Sequence, residues 1–120
     1  MQKCKLHILS QTPNGKIFKC LTCDKIHVEY KNLNFVFTKA RFEFFKDYFL
    51  ELDAGHWECV NKHTLYSRKI MVPIGHRNFS ALFSAEEIYE LKSMFGNIGK
   101  KISDYEFIDM KKMRSGPFMN

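Results

Sequence analysis

A pattern written twice constrains this chain more than anything else in it. Lys25 to Tyr30 alternates apolar and polar residues, and Leu33 to Thr38 alternates again, with Lys31-Asn32 between them as a turn. From Lys39 to Leu52 the period changes. Phe42, Phe45, Phe49 and Leu52 recur at helical spacing, Phe44 and Tyr48 widen the stripe, and Thr38 stands where an N-cap is needed. Asp53-Ala54-Gly55 reads as the stop. The same order then returns. Lys69 to Ile74 reads as a strand, Gly75-His76 lengthens the turn, and Phe79, Ala81 and Phe83 share one side of a second strand. Ser84-Ala-Glu-Glu87 is a capping box, and Ile88, Leu91 and Phe95 carry a helix stopped by Gly96-Asn97. At an offset of 46 positions Asn32 meets Asn78, Phe37 meets Phe83, Thr38 meets Ser84, Lys46 meets Lys92 and Phe49 meets Phe95. The shared order of strand, turn, cap and helix phase predicts a duplicated β-β-α unit.

Ahead of the repeat lie Cys4-x-x-His7 and Cys20-x-x-Cys23, separated by Thr12-Pro13-Asn14-Gly15. Asn-Gly is expected to supply the positive φ values of a tight hairpin turn. The expected fold is therefore α+β: an N-terminal zinc-ribbon-like β-hairpin, then two repeated β-β-α units forming one antiparallel sheet with two helices on one face. The expected organisation is a ribbon-like hairpin over residues 1–24, the duplicated β-β-α domain over 25–113, and a flexible tail over 114–120. Pro73 belongs at a strand end or edge, because it donates no ladder bond. The stretch from Lys100 to Met113 reads as a final strand or a docked extended segment. Gly55 to His63 shows no clear period.

Cys20-x-x-Cys23 has four readings: a metal knuckle, a redox dithiol, half of a disulfide framework, or two ordinary buried cysteines. A redox dithiol needs a helix N-terminus to lower its thiol pKa, and strand-like sequence stands on both sides here. The opening MQKCKLHILSQ has no apolar signal-peptide core, so a cytoplasmic, thiol-reducing setting is expected and a disulfide is disfavoured. Two pairs at x₂ spacing on a hairpin bring three thiolates and one imidazole together. That set, Cys4, His7, Cys20 and Cys23, suits tetrahedral structural Zn²⁺. A short ribbon builds no core of its own, which gives a metal staple a thermodynamic reason to exist. Cys59, in His56-x-x-Cys59-x₃-His63, is the alternative fourth ligand, or else a small buried hydrophobe.

Composition removes other classes. No apolar run reaches transmembrane length, and no Gly-rich phosphate loop, nucleophile elbow or His-Glu-x-x-His is present. Glu86 and Glu87 read as first-turn acids that complement the helix dipole. The cluster His56, Glu58, Cys59 and His63 is the one stretch that mimics a catalytic loop, and nothing in the sequence orients it. A net charge of +6 suits acidic partners, and lysines at positions 16, 19 and 25 surround the hairpin. The expected function is a small non-enzymatic protein-interaction or oligomerising adaptor with a structural metal knuckle, using a sheet face or edge. A zinc-ribbon-type nucleic-acid-binding module is the alternative, and an enzyme using the His56–His63 loop the second. No membrane and no small-molecule substrate are expected.

Asn14-Gly15, Cys20-x-x-Cys23, Ile26-His-Val and the helix after Thr38 together resemble an uncharacterised family of small bacterial proteins over roughly the first fifty residues. That resemblance implies no activity. The first knuckle also resembles zinc ribbons generally, and the chain departs from their usual pattern twice: His7 stands where ribbons carry cysteine, and in the second knuckle Asp24 stands after the last Cys where they commonly carry glycine.

Overall fold

A computed structural model describes residues 5–98. Its elements run β1 (Leu6–Thr12), β2 (Gly15–Cys20), β3 (Ile26–Tyr30), β4 (Leu33–Phe37), α1 (Lys39–Glu51), α2 (Ala54–Val60), β5 (Ile70–Pro73), β6 (Ser80–Phe83) and α3 (Ala85–Gly96). The fold is α+β, and the order β-β-α occurs twice. The single shared sheet that the sequence suggested is not formed. β1 to β4 make a four-stranded antiparallel meander, while β5 and β6 pair with each other in a separate sheet. The N-terminal hairpin takes up the hydrogen-bonding edge of β3 instead, because β2 pairs along it from Gly15↔Tyr30 to Lys19↔Ile26. An expected domain boundary after residue 24 therefore falls inside a hairpin of one sheet. The expected tail 114–120 and the segment from Lys100 lie outside the described residues.

The two β-β-α units agree in register. Ile26↔Phe37 and Val28↔Phe35 in the first reappear as Ile70↔Phe83 and Val72↔Ala81 in the second. The second loop is longer by the two residues expected of Gly75-His76, and both loops begin with a left-handed residue, Lys31 (φ 51°) and Gly75 (φ 100°). Thr38 and Ser84 are the N-caps: their hydroxyls accept from the amides of Arg41 and Glu87, and Ser84 completes a capping box with Glu87. Pro73 closes β5, where its missing donor costs nothing.

One core joins all of this. Ile17 from β2, Ile26 and Val28 from β3, the buried phenylalanines of α1, Ile70 and Val72 from β5, and Ile88, Leu91 and Phe95 from α3 belong to one buried cluster. α1 packs on β4 and α3, and α3 packs on β1 and β2. At the helix crossing the equivalent residues Phe49 and Phe95 meet each other, ring centroids 5.3 Å apart and nearly parallel at 14°. Contact between equivalent positions is what a local two-fold relation between units produces.

Two local readings change. Residues 54–60, which showed no period, form α2, capped by Asp53 through the amide of His56. Asp53 is thus a helix start and not a helix stop. In the β1–β2 hairpin Thr12 pairs with Gly15, so Pro13-Asn14 makes the turn. The left-handed residues of the described chain are Asp24, Lys31 and Gly75, not Asn14-Gly15. Gly15 is needed for closeness: a Cβ there falls 2.5 Å from the Glu29 carbonyl oxygen and 3.1 Å from Met94 Cε. A strand is thereby brought flush against its neighbour and against α3.

Candidate partner-binding face and cysteine knuckle

Cross-strand partners in an antiparallel sheet share a face, and the next residue along takes the other. Ile17, Val28 and Phe35 form a row toward the helices. One step along, Ile8, Phe18, His27 and Val36 form a row across all four strands on the opposite face. Ile8 at one edge is 54% exposed and Val36 at the other 52%. Between them the rings of Phe18 and His27 stack at 4.7 Å and 5°. Leu6, paired with Cys20 and 59% exposed, extends the apolar area toward the β2–β3 turn. On the other side follows a polar row, Gln11, Lys16, Glu29 and Asn34, in which Lys16 Nζ lies 3.7 Å from Glu29. A register irregularity between Ile8 and Ser10 keeps both Ile8 and Gln11 facing outward.

The knuckle closes the apolar end. β2 ends at Cys20, and the chain returns through Leu21 to Lys25. The Asp24 amide donates to the Cys20 carbonyl at 2.8 Å, and the Cys20 amide to the Lys25 carbonyl at 3.0 Å. The Cys23 amide donates to Cys20 Sγ at 3.4 Å. Asp24 takes φ 57°, the left-handed conformation that a glycine usually supplies, and its carboxylate sits 3.2 Å from Lys19 Nζ. Cys20 is buried and Cys23 exposed. Of the other expected ligands, Cys4 lies outside the described residues. His7 pairs with Lys19, one position from Cys20, so it takes the opposite face of the ribbon. Cys59 is exposed on α2, which packs against α3 and β5. Among the described residues, no three His, Cys, Asp or Glu side chains converge into a metal-binding group.

The catalytic-looking stretch resolves into α2 and the turn after it, with His56, Glu58, Cys59 and His63 all exposed. The buried acids are elsewhere, on α3. Glu87 accepts from Lys31 Nζ at 2.6 Å, Arg68 Nε at 2.8 Å and the Ser84 amide at 2.8 Å. Glu90 accepts from the Asn14 amide at 3.1 Å, Asn14 Nδ2 at 2.9 Å and the Tyr30 hydroxyl at 2.8 Å. Burial pushes both carboxyls up. Hydrogen bonds from Asn14 and Tyr30 outweigh it at Glu90, and Lys31, Ser84 and Arg68 outweigh it at Glu87, so both lie below the ordinary carboxylate value. Each acid pins a hairpin turn to α3: Glu90 holds the β1–β2 turn and Glu87 the β3–β4 turn. Sequence reasoning singled out Glu87 for the dipole and passed over Glu90. The signal was its place four residues before Met94 and three after Glu87, on the face that Leu91 shares.

Among the described residues no helix is long and apolar enough to cross a membrane. Among the described residues the molecule is thus a small α+β protein with an apolar row on the outer face of its four-stranded sheet and a cysteine hairpin at one end of it. A family model described as a family of unknown function (DUF6686) matches residues 1–120, and the chain belongs to that family. No curated protein and no solved structure matches it.

Proposed function

We propose that this chain is a non-enzymatic, cytoplasmic interaction module that pairs with a second copy of itself through the outer face of its four-stranded sheet. The observation that carries the reading is the row Ile8, Phe18, His27 and Val36, exposed at both edges and crossing every strand. The row is self-complementary. A two-fold axis parallel to the strands, running between β2 and β3, sets Ile8 over Val36 of the other copy and Phe18 over its His27. The same operation sets Lys16 over Glu29 and Glu29 over Lys16, so the polar row matches in charge. Aligned sheets pack face to face at about 10 Å, close enough for both rows to meet. The charge arrangement favours this over phosphate binding by the hairpin, because Lys16 and Lys19 already face Glu29 and Asp24.

Native mass spectrometry and sedimentation test it. The chain is expected to be a dimer. Ile8→Glu and Val36→Glu, both at exposed positions, are expected to give folded monomers. Lys16→Glu alone weakens the dimer by opposing two glutamates, and Lys16→Glu with Glu29→Lys restores it. A monomeric wild-type chain, or a dimer indifferent to Ile8→Glu and Val36→Glu, refutes the reading.

A further inference from the structure

We propose that the cleft between the β3–β4 turn and the first turn of α3 binds one singly charged oxyanion, the carboxylate or phosphodiester head of a small ligand, on Lys31, Asn32 and Arg68. The proposal is independent of the sheet-face reading.

The cleft has a volume of about 90 Å³ and is lined by Lys31, Asn32 and Leu33 at the turn, Arg68 ahead of β5, Leu82 of β6 and Glu87 of α3. That is room for a few water molecules or one small anionic group. Two cations share one carboxylate there. Lys31 Nζ lies 2.6 Å from one oxygen of Glu87, and Arg68 Nε lies 2.8 Å from the other. Glu87 is buried, while Lys31 and Arg68 are exposed at the rim. Two cations less one carboxylate leave the lining with one positive charge in excess, which matches a singly charged head. Lys16 and Lys19 differ, since each faces an acid of its own. Glu86, the other acid in the first turn of α3, is exposed and does not line the cleft.

The count of donors points the same way. Each cation gives Glu87 one N–H. An ammonium has three and a guanidinium five, so both retain donors for a ligand. With Nε on Glu87, the two terminal nitrogens of Arg68 remain as an intact fork, the geometry that meets two oxygens of a carboxylate or phosphate at once. Glu87 fixes both cations before a ligand arrives, and Lys31 Nζ also stands over the Tyr30 ring, 5.8 Å from its centroid. Groups already held in place lose little freedom on binding. Lys31 keeps φ 51° in the turn, where glycine sits more easily, so the ammonium stands here at a backbone cost.

The test is titration of the isotope-labelled full-length chain near neutral pH with acetate and, separately, with dimethyl phosphate, followed by nuclear magnetic resonance, with chloride holding the ionic strength constant. Acetate or dimethyl phosphate is expected to move the Arg68 Nε–H signal and the Lys31 and Asn32 amides along one saturable curve that chloride does not reproduce. The anion that saturates identifies the head group. Lys31→Ala and Arg68→Ala, both at exposed positions, are each expected to weaken binding about tenfold or more. Arg68→Lys keeps the charge and loses the fork, so it too is expected to weaken binding, and it carries the test if truncation unfolds the chain. Circular dichroism verifies that each variant is folded. Arg77→Ala removes an exposed cation that does not line the cleft and is expected to change nothing. The sheet-face variant Ile8→Glu is expected to keep anion binding while losing the dimer, which separates the two proposals. Folded protein that saturates with neither anion overturns the site, as does a curve that survives Lys31→Ala and Arg68→Ala. An Arg68→Lys variant that binds as well as the wild-type chain overturns the fork.

Discussion

Phe44 on α1 and Glu90 on α3 occupy the same step of the two β-β-α units, and they have exchanged environments. Phe44 is 60% exposed and Glu90 only 6%. Backbone register, N-cap and helix phase are shared between the units, so nothing local separates the two positions. Their surroundings do. α1 lies at the border of the molecule, against β4 and α3, whereas α3 is packed by α1, α2, β1, β2 and β6. The N-terminal hairpin supplies the difference: by joining β3 it brings the Asn14 turn over the side of α3 that corresponds to the open side of α1. A carboxylate there is tolerated because three donors meet it. A repeated unit thus sets local structure twice, while burial is decided by what each copy is placed against.

The largest expected effects test the likeness. Phe49→Ala and Phe95→Ala each remove a buried ring from the helix crossing and should each cost about 3–5 kcal/mol in urea unfolding. Because the rings stack on each other, the double variant should cost less than the sum. If either variant alone is nearly neutral, the two helices are not equivalent in packing.

The next effect measures the difference. Glu90→Ala removes the acceptor that meets the buried Tyr30 hydroxyl and that ties the Asn14 turn to α3, and should cost about 2–3 kcal/mol. Phe44→Ala, at the same step of α1, should change stability by no more than about 0.5 kcal/mol. Similar costs at the two positions would sink the account of exchanged environments.

Acid sharpens it further. Both α3 carboxyls sit below their ordinary value of 4.5 in the folded chain. Their contribution is fully present above the unfolded value and is lost as pH falls through the lower folded values. Stability should therefore decline on acidification below about pH 4.5, and Glu90→Gln should flatten the decline. An unchanged slope in that variant would assign acid sensitivity to other groups.

The smallest effect concerns the two loops. Gly75→Ala should cost about 1 kcal/mol, all of it backbone strain, since no atom lies within 4 Å of the added methyl. Lys31→Gly relieves the same strain in the first loop but loses the ammonium on Glu87. A melting-temperature comparison should show the first change destabilising and the second offset by the lost ion pair.

What was legible in the sequence was local. Thr38 and Ser84 read as caps because they precede a change of period, and Phe42, Phe45 and Phe49 read as core from spacing alone. What was not legible depended on which strand lies beside which. Strand alternation says that β3 has a free edge but not that β2 will fill it, so one shared sheet was expected where two form. α2 was missed because seven residues hold too few turns to show a period. The Cys hairpin was visible because its members are three residues apart. The apolar row was not, because its four residues come from four strands and align only once every register, including the irregularity near Leu9, is known. Glu90 was hidden for the same reason, since its partners stand 60 and 76 residues away.

Asn14-Gly15 carries a consequence for how this protein ages. An asparagine before glycine loses its side-chain amide most readily, because the unhindered glycine nitrogen attacks the side-chain carbonyl. Here that amide is held by Glu90 at 2.9 Å, and the backbone on both sides is fixed by the turn and by contact with α3. The folded chain therefore guards its own weak bond, and the unfolded chain does not. Once the amide is lost, a new carboxylate faces Glu90 where a donor stood, and like charges at that distance repel. The turn loosens and the molecule opens more often.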